Sequence, residues 1–200
     1  MLDLSIALSS FLPKVEKNKK IFSIKAKVFF LSEMWGKNRG GSCLMIKVLF
    51  VCLGNICRSP MAEAVFNDML KKSGLEDRIE ADSAGTGNWH VGKPPHEGTR
   101  SLLSAKKISC EGLYARQITD KDPEAFDYII AMDAENAGHV RSLAGYGSKA
   151  VIRRLLDYVE DCETADVPDP YYTGNFDKVY ELVAKGCSEL LKDIRKEHKL

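Results

Sequence analysis

A thiol and a guanidinium sit close together in "VCLGNICRSPMAEAVF", where Cys52 and Arg58 are separated by five residues and a second thiol, Cys57, lies beside the arginine. A cysteine here could serve packing, metal binding, redox chemistry or nucleophilic attack. Its setting favours the last. A loop between a strand end and a helix start turns several backbone N–H groups inward, and with the helix dipole these donors make an anion site. Arg58 adds a planar fork that matches two phosphate oxygens. A thiol facing that positive field is expected to ionise near or below neutral pH. The loop is not a nucleotide-binding P-loop, because G-x-x-x-x-G-K is absent. Attack on a phosphate ester also needs an acid for the departing oxygen. The stretch "DVPDPYYTG" offers Asp166 and Asp169, the latter stiffened by flanking prolines and followed by two tyrosines. A rigid aspartate beside aromatic walls suits a phenolate leaving group, although Asp-Pro is also an ordinary turn signal.

These groups need elements to hold them. Ile46 to Cys52 is a short, almost continuous apolar run, the pattern of a strand buried on both faces. Gly54 and Asn55 predict a tight loop, and Ser59-Pro60 predict an N-cap followed by proline at the first helical position. Ala62, Ala64, Val65, Met69 and Leu70 then follow helical spacing. "RIEADSAG" and "AFDYIIAMD" predict a second and third strand, and "KAVIRRLLDYV" a weaker fourth. Helices are expected over 99–107 and 134–143, and "DVPDPYYTGNF" as loop. A long amphipathic helix over 176–198 shows Val179, Leu182, Val183, Cys187, Leu190, Leu191 and Ile194 on one face. Strands alternating with helices imply right-handed βαβ units, hence an α/β fold with a parallel twisted sheet and helices on both faces. Ligands bind such sheets at the carboxyl ends of strands, which is where Cys52 stands.

At 200 residues the chain supports one full core. Its net charge of +1 conceals an asymmetry. Residues 1–44 are lysine-rich and leave the remainder mildly acidic, with no basic stripe of the kind nucleic acid requires. Six cysteines are scattered singly and form no C-x2-C pair, which argues against a disulfide framework or structural zinc and for a reducing cytoplasm. The apolar run "LDLSIALSSFL" is too short to span a bilayer and lacks the charged start of a secretory signal. Residues 1–44 are therefore expected to be a leader outside the fold, disordered or a mis-assigned start, with Met45 a candidate start and the domain covering 45–200. The alternative is an accessory strand pair in "IFSIKAKVFF", which alternates weakly.

Taken together, "VCLGNICRSPMAEAVF", "DSAG", "ARQIT", "FDYIIAMD" and "DPYYTG" resemble the low-molecular-weight protein tyrosine phosphatases from about Met45 to Ile194. The resemblance implies a four-stranded parallel sheet and a metal-independent, cofactor-free enzyme acting on phosphotyrosine-containing proteins or small aryl phosphates, with a monomer as the default. It also implies roles. Cys52 is the nucleophile, Arg58 binds the phosphoryl oxygens, and Ser59 hydrogen-bonds the thiolate. Leu53, Gly54, Asn55, Ile56 and Cys57 give backbone donors, and Asn55 holds the loop with Ser83. Asp169 is acid and then base, and Trp89, Tyr171 and Tyr172 form an aromatic rim. Cys57 matches the family's second cysteine, which forms a reversible disulfide with the nucleophile. One position departs: Leu113 stands where the family commonly has a histidine linked to the loop brace, so the brace is expected to be rebuilt or looser.

Three rivals follow from the same residues. Arsenate reductases share the loop but need two further cysteines close together, and Cys110 is alone in its region. Phosphoarginine phosphatases place threonine where this chain has Ile56, with a smaller rim. A non-catalytic phosphotyrosine-binding module would require inactivity although every catalytic group is present.

Overall fold

The computed structural model describes residues 45–200. The expected leader, and the alternative strand pair in "IFSIKAKVFF", lie outside the described residues.

Strand β1, Ile46–Cys52, is the central organiser. Its side chains alternate, so Val48 and Phe50 enter one apolar layer and Leu49 and Val51 the other, all four fully buried. The sheet order is β2-β1-β3-β4, with β2 at Ile79–Gly85, β3 at Tyr128–Ala131 and β4 at Val151–Arg154. All pairs are parallel, and the register sets Cys52 opposite Gly85 and Val51 opposite Ala131. The carboxyl ends of β1, β2 and β3 therefore meet at one edge.

Helices cover both faces, as the alternation of elements requires. On the larger side are α1 (Arg58–Ser73), α2 (Glu97–Ala105) and the last helix, Phe176–His198, whose predicted apolar stripe is buried throughout. Phe50 meets Phe66 of α1 edge-on, with ring centroids 5.5 Å apart. A short α3, Asp122–Ala125, precedes β3. Helix α4, Ala134–Ala144, covers the other face through Val140. The short α5, Pro170–Thr173, precedes the final helix, α6.

Local readings are corrected at four places. The fourth strand stops at Arg154, and Leu155–Tyr158 forms a 3-10 turn. Asp157 accepts the Arg154 N–H and pairs with its guanidinium at 2.8 Å, and this turns Leu155 inward against Gly186 of α6. Helix α2 begins at Glu97, two residues before the expected Thr99, because His96 Nδ1 accepts the Gly98 N–H at 3.1 Å and caps it. The stretch expected as loop contains α5, capped by Asp169. Finally, α1 starts at Arg58 with Cys57 at the cap position and no side-chain cap. Ser59 is inside the first turn, its hydroxyl spent elsewhere.

Candidate active site

The loop Leu53–Cys57 leaves β1 at the sheet's carboxyl edge and delivers Arg58 into the first turn of α1. Asn55 makes the turn possible by adopting φ 53°, a left-handed conformation that asparagine tolerates better than most residues. The end of β2 packs directly beneath. A Cβ on Gly85 would lie 3.0 Å from the Leu53 carbonyl oxygen and 3.1 Å from the Asn55 nitrogen, so only glycine lets the strand approach so closely. Thr86 and Gly87 then donate to the Cys52 and Leu53 carbonyls, each at 2.9 Å, closing the loop against the sheet.

Donors converge on the sulfur. The Asn55 N–H points at Cys52 Sγ at 3.3 Å and Ser59 Oγ lies 3.0 Å from it. Asn55 is fixed by all of its side-chain bonds. Its Nδ2 donates to Ser59 Oγ at 2.9 Å and Ser83 Oγ at 2.8 Å, while Oδ1 accepts the Arg116 N–H at 2.8 Å. The Asn55–Ser83 contact expected from the family resemblance is thus present without the histidine. Ser83 Oγ donates onward to Glu63 Oε2 at 2.6 Å. Leu113 packs against the main core and has no polar atom to offer.

The α1 mouth, a positive end that no side chain caps, faces the same space. Arg58 reaches across it with its side chain only 4% exposed. Its Nη1 donates to Asp133 Oδ2 at 2.6 Å and to the Val167 carbonyl at 3.1 Å, and its Nη2 donates to Asp169 Oδ2 at 2.7 Å. Burial opposes the charge, but Cys52, Asp169 and Asp133 outweigh it and hold the guanidinium more firmly protonated than a free one. Cys57 is the opposite case. Burial, followed by the charges of Asp169 and Cys52, pushes its thiol up to about 12, so that it is kept neutral.

Asp169 caps α5, its Oδ1 accepting the Tyr171 N–H at 3.0 Å, and this orients Oδ2 inward. Asp166, the other acid of that stretch, instead pairs with Arg154 at 3.1 Å, away from the loop. Tyr171 and Tyr172 meet edge-on at 5.4 Å and are largely exposed, as is Trp89. These three line one cavity of about 240 Å³ together with Cys52, Leu53, Gly54, Ile56, Cys57, Arg58 and Asp169. Asn55, Ser59 and Ser83 stand behind its wall. All the sequence-expected site residues are therefore brought to one place, in the cavity or directly supporting it.

Four contributors were not read from the sequence. His90 lines the cavity beside Gly54. Asp133 anchors Arg58 and caps α4, its Oδ1 accepting the Asn136 N–H at 2.7 Å. Glu63 ends the Asn55 network. Arg116 donates its N–H to Asn55 and pairs with Asp82 at 2.8 Å and Asp122 at 3.0 Å. Only the "MD" closing the third strand, an acid at a strand's carboxyl end, could have signalled Asp133. Among the described residues no three metal-ligating side chains cluster, and the five cysteines are free thiols. No described helix is long and apolar enough to cross a membrane.

Known proteins resemble this chain in sequence and fold. The family model for low molecular weight phosphotyrosine protein phosphatase matches residues 47–200. The low molecular weight protein-tyrosine-phosphatase YfkJ of Bacillus subtilis (strain 168) is 62% identical over 156 residues, 78% of this chain and 100% of the relative. Its crystal structure superimposes with a TM-score of 0.76 at 61% identity, covering 80% of this chain and 99% of that one. The low molecular weight protein-tyrosine-phosphatase PtpA of Staphylococcus aureus (strain MRSA252) is 44% identical over 78% of this chain and 98% of its own. DARP, a drosophila arginine phosphatase, is 33% identical with a TM-score of 0.69, covering 75% of this chain and 98% of that chain. With a family model spanning the described domain and relatives aligned along their full length, the chain belongs to the low molecular weight phosphotyrosine protein phosphatase family.

Proposed function

We propose that residues 45–200 form a metal-independent, cofactor-free protein-tyrosine-phosphatase that works through a phosphocysteine intermediate. The observation that carries this reading is the meeting, in one cavity walled by Tyr171, Tyr172 and Trp89, of a thiol at a strand end, a buried guanidinium and an inward-facing carboxyl. The phosphoryl oxygens of the substrate take the backbone donors of residues 53–57 together with Arg58 Nε, a buried donor with no partner among the described residues, and Nη2, where they replace Asp169, while Nη1 stays on Asp133 and the Val167 carbonyl. Cys52 Sγ attacks phosphorus, the P–O bond to the phenol breaks, and protonated Asp169 gives its proton to the departing oxygen. The carboxylate then takes a proton from a water whose oxygen attacks phosphorus, breaking the S–P bond and releasing phosphate and free thiolate. Where peroxide has taken Cys52 to the sulfenic acid, the Cys57 sulfur attacks it, an S–S bond forms and the hydroxyl leaves as water with the Cys57 proton, so that Cys57 is the resolving partner. We assign the enzyme to the cytoplasm as a monomer, acting on phosphotyrosine proteins or small aryl phosphates, with no nucleic-acid or membrane partner.

The test is hydrolysis of phosphotyrosine and phosphoarginine peptides in excess chelator by wild type, Cys52→Ser and Asp169→Ala. Chelator-resistant phosphotyrosine turnover, abolished by the first change and strongly slowed by the second, is expected. Faster cleavage of phosphoarginine would replace the substrate class with that of DARP, and binding without phosphate release would make the protein a recognition module.

A further inference from the structure

A carboxyl behind the phosphate-binding loop has no part in the chemistry above. Glu63, in the second turn of α1, is 8% exposed, and among the described residues the one hydrogen bond of its carboxyl is that accepted from Ser83 Oγ at 2.6 Å. The protons of this network run one way. Arg116 N–H donating to Asn55 Oδ1 decides which end of the carboxamide is the donor. Its two Nδ2 hydrogens go to Ser83 and Ser59. Each serine has accepted one hydrogen and has one to pass on: Ser83 gives its own to Glu63, while Ser59 has two acceptors in reach, Cys52 Sγ at 3.0 Å and the Ala84 carbonyl at 3.3 Å. The two branches end on a carboxyl and on the reacting sulfur, joined through one amide.

We propose, building on the phosphatase reading, that Glu63 is a positioning residue for the nucleophile: as a carboxylate it holds Ser83, and through Ser83 and Asn55 it orients the hydroxyl that Ser59 presents to Cys52. A protonated carboxyl breaks this order. It becomes a second donor facing Ser83, or accepts only through its weaker neutral oxygen, and Asn55 loses its firm partner on that side. The charged groups facing Glu63 are Asp82 from β2, which disfavours its ionisation, and Arg116 from the segment after α2, which favours it. Burial is the largest influence, and it pushes the carboxyl up to about 7 despite the Ser83 hydrogen bond. The brace therefore changes state near neutrality. Leu113 supplies no alternative acceptor, so Glu63 does the bracing here that the family commonly links to a histidine.

The experiment is the alkylation rate of Cys52 by iodoacetamide across about pH 5 to 9, read by mass spectrometry of the Cys52 peptide, for wild type, Glu63→Gln and Ser83→Ala. Wild type is expected to follow two ionisations, one near about 7 from Glu63 and one from the thiol itself. Both variants are expected to lose the first and to react about five times more slowly above neutrality, the loss from weakening one ordinary hydrogen bond. A wild-type curve with one ionisation, or variant curves that superimpose on it, overturns the proposal. If Glu63→Gln fails to fold, Ser83→Ala decides. Alkylation does not depend on turnover. Two ionisations in a wild type that releases no phosphate would thus sink the catalytic reading and leave the brace standing.

Discussion

Asp133→Asn is the substitution that most directly tests how Arg58 is held. In the unliganded site the guanidinium is shared between Asp133 at 2.6 Å and Asp169 at 2.7 Å. In the proposed reaction Asp169 leaves Arg58 to serve as the acid when a phosphoryl group arrives, and Asp133 becomes the remaining carboxylate anchor. Removing its charge therefore falls on the substrate-bound and transition states more than on the free enzyme. A hydrogen bond to a charged group is worth about 1.5–3 kcal/mol. The pair is well shielded, with side-chain exposures of 4% and 21%, so solvent screening takes little away. At about 1.4 kcal/mol per decade, the loss in kcat/KM for an aryl phosphate is about 10- to 150-fold. Asparagine still caps α4 through its carbonyl oxygen, so the melting temperature should move little. Asp133→Ala should lose the same catalysis and, in addition, about 1 kcal/mol of stability from the lost cap. Steady-state kinetics beside thermal melts separate the two effects. A kcat/KM for Asp133→Asn within twofold of wild type would refute the argument that this carboxylate positions Arg58.

Three further outcomes are expected. Gly85→Ala should crowd the Leu53 carbonyl, where the new Cβ would lie 3.0 Å away, and cost about 1–3 kcal/mol with a loss of phosphate affinity; unchanged competitive inhibition by phosphate would count against the close packing of β2 beneath the loop. Because Glu63 is raised from an ordinary 4.5 to about 7 in the folded chain, its contribution to stability is present below 4.5 and lost as pH rises through about 7. Relative to Glu63→Gln, wild type should thus lose about 3 kcal/mol over that window; equal pH dependence in chemical denaturation of the two proteins would contradict the shift. After brief peroxide treatment, a thiol reductant should restore wild-type activity far more fully than that of Cys57→Ser, and equal recovery would remove the resolving role of Cys57.

The legible part of this protein was local. The contiguous run from Cys52 to Ser59 carries thiol, loop, guanidinium and helix start within a few residues, so short-range backbone rules already predict a cradle for an anion. The stripe from Val179 to Ile194 repeats at helical spacing over 23 residues of α6, and the pattern was long enough to place that helix without help. Asp169 could be chosen over Asp166 from its flanking prolines, and the structure shows the two acids facing different partners. What stayed hidden was whatever depended on strands meeting. Asp133 is 75 positions from Arg58 and Arg116 is 61 from Asn55, and nothing near either pair in the chain announces the contact. Those distances close only because β1 lies between β2 and β3 in parallel register, which brings the ends of three separated strands to one edge. The same cause explains Ser59. Read locally it is a helix cap, but once β1 and β2 pack, Cys52, Asn55 and the Ala84 carbonyl claim its hydroxyl and the helix mouth is left without a side-chain cap. Sequence alone thus determined which groups could react, because covalent neighbours share one short loop; tertiary structure decided what holds and orients them, because hydrogen bonds act over a few ångströms of space whatever the distance along the chain.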